Sequence, residues 1–229
     1  MSLKLYFHPL SSFCHKALIA LYECGAAFEP ILVNLSDDQS SAALRSLRSL
    51  WPMAKFPVLR DEARDRTVAE ATVIVEYLGA YYPGGTQFVP AEADLAWQTR
   101  MWDRFYDNYV HLQMQKIVGD CLRPAGAADP FGVEHAKTTL QRAYEMIEHV
   151  MEGKTWAVGE NFSLADCAAA PALFYANTAV PFGPAQPSLQ SYLDRLMSRP
   201  SYARALKEAQ PYFDMFPMKT KPRLVKERQ

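Results

Sequence analysis

Ser11, Ser12 and Cys14 are the first residues of this chain with the chemistry to act on a ligand. They follow the run Leu-Lys-Leu-Tyr-Phe (3–7) and then His8-Pro9-Leu10. Such a run reads as a short strand that stops at a proline and passes into a helix. The first turn of a helix leaves backbone N–H groups without partners and carries the positive end of the helix dipole. A thiolate beside Ser11 is therefore stabilised. Ser11-x-x-Cys14 has serine where a dithiol mechanism needs its attacking cysteine. The sulfur of any thiolate chemistry here belongs to a bound ligand, and Cys14 reads as a small hydrophobe on the inner helix face.

Two other clusters are candidates for the same site. Lys55-Phe56-Pro57-Val58 places a proline at the opening of a strand, and Ala69-Glu70-Ala71-Thr72 places a carboxylate at the start of a helix. In a parallel βαβ unit the ligand crevice lies beyond the carboxyl ends of the strands, where Ser11 falls.

The elements that must position these residues follow from patterning. Residues 3–7 and 28–35 read as strands, joined by a helix in which Phe13, Ala17, Leu18 and Leu21 recur at helical spacing and Gly25 takes the C′ position. Asp37 or Asp38 is expected to cap a short helix through about Leu50. Residues 57–60 and 66–69 read as a hairpin turning through 61–65. Val73, Ile74, Tyr77, Leu78 and Tyr81 form a helix ending before Pro83-Gly84-Gly85. The boundaries expected are a mixed α/β domain over 1–81, a Pro/Gly-rich linker over 82–93 and an all-helical domain over 94–229. In the last, helical patterns run over 94–120, 133–152, 164–179 and 187–198, with a shorter one from Ser201. Ser163 and Asp166 form a capping pair.

Hydrophobic residues make up 49% of the chain and charged residues 21%, with a net charge of −1. That composition is globular and gives no field to attract nucleic acid or an anionic membrane. The most apolar stretch, Ala165 to Phe182, is interrupted by Asp166, Asn177, Pro171 and Pro181 and reads as a buried helix, not a membrane span. Cys14, Cys24, Cys121 and Cys167 are widely spaced, with no zinc or disulfide pattern, which suits the reducing cytoplasm. No basic segment followed by an apolar core marks a signal peptide. His8, His15, His111, His135 and His149 lack metal-ligand spacing, and no metal is expected.

Taken in order, Ser11-Ser12-Phe13-Cys14, Lys55-Phe56-Pro57-Val58-Leu59, Glu70-Ala71-Thr72-Val73-Ile74 and the Ser163–Asp166 cap resemble the cytosolic glutathione transferases. The first motif is most similar to the serine-type (theta and zeta) classes. The resemblance implies an α+β fold, with an N-terminal thioredoxin-like domain followed by an all-α C-terminal domain, and glutathione as co-substrate. It implies that Ser11 is catalytic and donates a hydrogen bond to the glutathione sulfur, with Ser12 the competing hydroxyl. Pro57 is expected to be cis, with Phe56 or Val58 pairing with the cysteinyl part of the tripeptide and Lys55 near its backbone. Glu70 and the N–H groups beside it would hold the γ-glutamyl end. The family usually has serine at the position of Ala71, so a donor is missing there, and Thr72 is the candidate replacement. Leu10, Phe13, Tyr106 and Tyr109 would line the pocket for a small hydrophobic electrophile. A homodimer is implied, with Met53 at its interface. The competing readings are a glutathione-dependent isomerase, peroxidase or thiol oxidoreductase, and a non-catalytic binding or interaction module of the same fold.

Overall fold

The computed structural model describes residues 2–34 and 41–224. Strand β1 (Leu3–Phe7), helix α1 (Ser12–Glu23) and strand β2 (Phe28–Leu32) form a parallel βαβ unit. The α1 terminus is a Schellman motif: Gly25 adopts φ 62°, its N–H donates to Tyr22 O, and the Ala26 N–H donates to Leu21 O. This is the left-handed conformation that glycine takes without a Cβ penalty. β2 is shorter than its pattern, and Asp37 and Asp38 lie outside the described residues. Helix α2 (Ala42–Leu50) follows, with Ser41 at its N-cap position.

Strands β3 (Val58–Asp61) and β4 (Arg66–Ala69) form the expected hairpin, and helix α3 (Ala71–Tyr81) closes the unit. The sheet order is β2-β1-β3-β4, with β1 antiparallel to β3. Strand alternation sorts the core into two faces. Leu3, Leu5, Phe7, Leu59 and Val68 belong to the main core with buried residues of α1 and α3, whereas Tyr6 and Val58 pack with Leu44 and Leu47 of α2.

Among the described residues, no strand follows β4. Helix α4 (Ala93–Phe105) runs through a π-helical segment (Tyr106–His111) into α5 (Leu112–Asp120); then come α6 (Pro130–Met151), α7 (Leu164–Ala179), α8 (Pro187–Ser198) and α9 (Pro200–Ala209), and a 3₁₀ turn over Gln210–Met215. α7 is buried along most of its length and reaches α1, α4 and α8. Its capping box is present, and the Asp166 carboxylate also accepts from the Ala157 N–H at 2.9 Å and the Tyr192 hydroxyl at 2.6 Å. No described helix is long and apolar enough to cross a membrane.

The C-terminal end of α1 is fastened to the helical part through Glu23. Arg199 grips its carboxylate with two bonds of 2.7 Å, and Ser201 and Thr86 donate to it as well. Burial acts to raise the Glu23 pKa, but these donors outweigh it and hold the carboxyl below its ordinary value. A lowered folded pKa contributes stability that is present above the unfolded value, about 4.3, and lost as pH falls through the folded one. Glu23→Gln is thus expected to cost roughly 2 kcal/mol at pH 7 and much less at low pH. Urea unfolding at both pH values checks this; an equal loss at both would mean that charge plays no part.

Candidate active site

Sheet register brings the three sequence clusters to one end of the molecule. Tyr6 pairs with Val58, and Val58 pairs with Ala69, so the three residues form one row across the sheet. The chain leaves that row toward Ser11 from β1, arrives from Pro57 at β3, and leaves toward Glu70 from β4.

Ser11 is the N-cap of α1, with extended backbone (φ −78°, ψ 118°). Its Oγ accepts the Cys14 N–H at 3.4 Å, and the side chain is half-buried. That bond uses the oxygen as acceptor and leaves the hydroxyl proton free to be donated. Ser12 is different. It is buried, and its hydroxyl shares a 2.6 Å hydrogen bond with His111 Nε2. Burial, followed by the charge of Lys16, pushes the His111 pKa down to about 3, so its ring is neutral. The Phe13 ring stacks on His111 with centroids 3.7 Å apart. Burial pushes the Cys14 thiol up to about 12, which removes it as a thiolate near neutral pH.

The Phe56–Pro57 peptide bond is cis. Pro57 and Val58 are buried, Phe56 is half-buried and Lys55 is exposed. Glu70 has φ +67°, a left-handed conformation that costs a non-glycine residue free energy. It is exposed, stands at the start of α3, and makes no side-chain hydrogen bond to that helix. A strained carboxylate not spent on capping its own helix is available to a ligand. Ala71 is buried at 5% exposure and offers only its backbone N–H.

Thr72 does not face the site freely. Its hydroxyl lies in a charge cluster joining α1, α3 and α4. Lys16 Nζ is 2.8 Å from Thr72 Oγ1, 2.5 Å from Asp103 and 3.0 Å from Asp107. Thr72 donates to Asp103 at 2.9 Å, and Arg104 bonds to Thr72, Asp103 and Asp107. Lys16 and Asp103 are each 1% exposed. Sequence reading missed this cluster. The available signal was a lysine within the apolar run Cys14–Leu21, together with two aspartates four residues apart.

The pocket candidates separate as well. Leu10 and Phe13 are half-buried beside Ser11, and Tyr109 is 52% exposed and packs near Phe105. Tyr106, expected in the pocket, is only 1% exposed and lies in the main helical core. The reason is tertiary: the segment that begins at Tyr106 packs against α6 and α7, and the Tyr106 hydroxyl meets Tyr192 of α8.

Comparison with known proteins identifies the family and the fold. Residues 10–80 match the glutathione S-transferase N-terminal domain, and residues 113–200 match the glutathione S-transferase C-terminal domain. The chain belongs to the cytosolic glutathione transferase superfamily. It is 28% identical to glutathione S-transferase 3 of Zea mays over 211 residues, covering 89% of this chain and 93% of that protein. It is also 28% identical to a stringent starvation protein A homolog of Haemophilus influenzae, covering 87% of each. A glutathione S-transferase from Methylobacillus flagellatus KT, solved with GSH bound, superposes with a TM-score of 0.80 at 25% identity, over 89% of this chain and 98% of that one. The N-terminal part is therefore the thioredoxin-like domain of this family and the remainder its helical domain. Among the described residues, no cluster of three or more His, Cys, Asp or Glu side chains is placed to hold a metal.

Proposed function

We propose that this member of the glutathione transferase family uses Ser11 to hold glutathione as a thiolate for attack on a small hydrophobic electrophile. One observation carries the assignment of Ser11 over Ser12. The Ser12 hydroxyl is buried against His111, whereas the Ser11 hydroxyl keeps its proton available at the open end of α1. A free thiol has a pKa of about 8.5, and each unit of lowering is worth roughly 1.4 kcal/mol. A hydroxyl donor and the helix N-terminus together are of a size to supply about 2 units. The thiolate then attacks an electrophilic carbon, forming the C–S bond as the leaving group departs or the acceptor takes up the electron pair.

The tripeptide would lie along the row described above. Val58 and Phe56 offer backbone to its cysteinyl residue, with Lys55 alongside. The Glu70 carboxylate meets the γ-glutamyl ammonium, and the N–H groups at the start of α3 meet its carboxylate. Leu10, Phe13 and Tyr109 form the electrophile's apolar wall. Because Thr72 is held by Lys16 and Asp103, it does not replace the hydroxyl missing at Ala71. Ala71→Ser is accordingly expected to tighten glutathione binding, by about tenfold at most, with no change in thiol acidity. Calorimetric titration of the two proteins reads this; equal affinities would show that backbone N–H groups already saturate the carboxylate.

A homodimer would cover exposed apolar side chains of α3 and α4, which adjoin through the Arg100–Glu76 pair, and of the segment before β3. Val73 of α3 and Trp97 and Met101 of α4 are 52%, 56% and 46% exposed, and Met53 is 65% exposed. Burying such a patch against a second copy removes it from water. Sedimentation with Trp97→Glu tests the assignment.

A second reading has its own support. The stringent starvation protein A homolog, whose name carries no transferase activity, has the same 28% identity to this chain as the maize transferase. A non-catalytic module would bind glutathione without forming its thiolate, and the ultraviolet absorbance of the bound thiol separates the two readings.

A further inference from the structure

His15 is 0% exposed and takes no part in the steps above. Its Nε2–H donates to the Pro9 carbonyl at 2.6 Å. Its Nδ1 has no hydrogen-bond partner among the described residues, and neither do the hydroxyls of Tyr175 and Tyr202, whose rings lie 5.6 Å and 6.0 Å from the imidazole. Burial pushes the His15 pKa down to about 4, so the ring stays neutral with its proton on Nε2. An imidazole seated between the tyrosines of α7 and α9, with a single side-chain hydrogen bond, is costly as core filling. That one bond is what the residue contributes.

The bond acts on the segment that delivers Ser11. The Ser11 N–H donates to His8 O at 3.0 Å, which closes a four-residue turn, His8-Pro9-Leu10-Ser11, with proline at the second position. The central peptide of such a turn has two alternative orientations, related by rotation of its plane, and these distinguish the common turn types. Here both ends of that peptide are held. The Pro9 C=O accepts from His15, and the Leu10 N–H donates to His8 Nδ1 at 3.2 Å. The His15 backbone N–H also donates to Ser11 O at 3.1 Å.

We propose that His15 is a positioning residue that, together with His8, locks the central peptide of this turn and so fixes where the Ser11 hydroxyl points. This rests on Ser11 being the hydroxyl that meets the thiolate. The γ-glutamyl and cysteinyl anchors lie on other segments, so freeing the turn misplaces the hydroxyl while leaving most of the binding surface intact.

The test compares His15→Phe, which keeps a ring but no donor, with His15→Gln, whose amide N–H reaches the Nε2 position. The pKa of bound glutathione is read by thiolate absorbance, and kcat and KM for glutathione are measured with an activated halonitroarene. His15→Phe is expected to raise the bound pKa by about 1 unit and lower kcat about tenfold, with KM nearly unchanged. His15→Gln is expected to recover most of both. A folded His15→Phe enzyme with wild-type pKa and kcat overturns the proposal, as does loss confined to KM. Ser11→Ala is run in parallel. If it leaves the titration unmoved, the serine assignment has failed; if it shifts the titration and His15→Phe does not, only the positioning role has failed. Nitrogen NMR of the wild-type protein decides the matter even if the variants do not fold. His15 is expected to remain the Nε2–H tautomer with a slowly exchanging proton from pH 6 to pH 8, and a freely titrating, rapidly exchanging ring overturns the lock.

Discussion

Ser11→Ala is expected to lower kcat for glutathione conjugation by tenfold to a hundredfold while changing glutathione affinity by less than about threefold. The direction follows from how the residue is placed. As N-cap, Ser11 accepts one N–H from its own helix and keeps its proton to donate. A hydroxyl that donates to a thiolate stabilises the charged form more than the neutral thiol, so its loss appears in acidity and rate before it appears in binding. The helix N-terminus survives the substitution, which is why the loss stops near two orders of magnitude. Part of the damage will be structural, because losing an N-cap costs about 1 kcal/mol of helix stability. Ser11→Asn keeps the cap and offers an amide N–H in place of the hydroxyl, so it is expected to recover the stability and part of the rate lost in Ser11→Ala. Recovery of stability in Ser11→Asn with wild-type rates already present in Ser11→Ala would exclude the hydroxyl.

The second large effect concerns Lys16. Its ammonium is enclosed with two carboxylates, and among the described residues the only cation beside it in the cluster is the half-exposed Arg104. Lys16→Met keeps the length and the apolar stem but leaves Asp103 and Asp107 short of a partner. Breaking a buried ion pair from one side costs about 3–5 kcal/mol, whereas removing both charges costs far less. Lys16→Met combined with Asp103→Asn is thus expected to be more stable than Lys16→Met alone, with a coupling of about 1–3 kcal/mol. Denaturant unfolding of the wild type, the two single variants and the double variant measures it. A single-variant loss under about 1 kcal/mol would mean that water reaches the cluster and satisfies it. The functional corollary is that Thr72, two residues from the strained Glu70, is held by this cluster, so the first turn of α3 is fixed before any ligand arrives.

How much of this was legible in sequence depends on the range of the interactions. Local signals read well. Gly25 announced the Schellman terminus of α1, Ser163 and Asp166 announced a capping box, and the short runs 57–60 and 66–69 about the turn 61–65 announced a hairpin. Each is decided within a few residues by backbone chemistry. The meeting of Ser11, Val58 and Glu70 was legible only because four motifs in order resembled a known family; no periodicity brings them to one end of the sheet. The positive φ of Glu70 was hidden, because a glutamate carries no mark of the left-handed region in the way a glycine does. The Lys16 cluster joins residues 56 and 91 positions apart, a separation at which sequence pattern carries no partner information. Tyr106 is buried because its segment packs against α6 and α7, a tertiary contact that helical periodicity does not carry. The preference for Ser11 over Ser12 rests on His111, a residue 99 positions from Ser12 that sequence pattern does not connect to it.

The most direct test of the central claim is an ultraviolet pH titration of glutathione bound to the wild-type, Ser11→Ala and Ser12→Ala proteins. The account predicts a bound thiol pKa of roughly 6.5 in the wild type, about 2 units below free glutathione. It predicts a rise of about 1–2 units in Ser11→Ala and a nearly unchanged value in Ser12→Ala. A wild-type value equal to that of free glutathione, or a rise confined to Ser12→Ala, would contradict it.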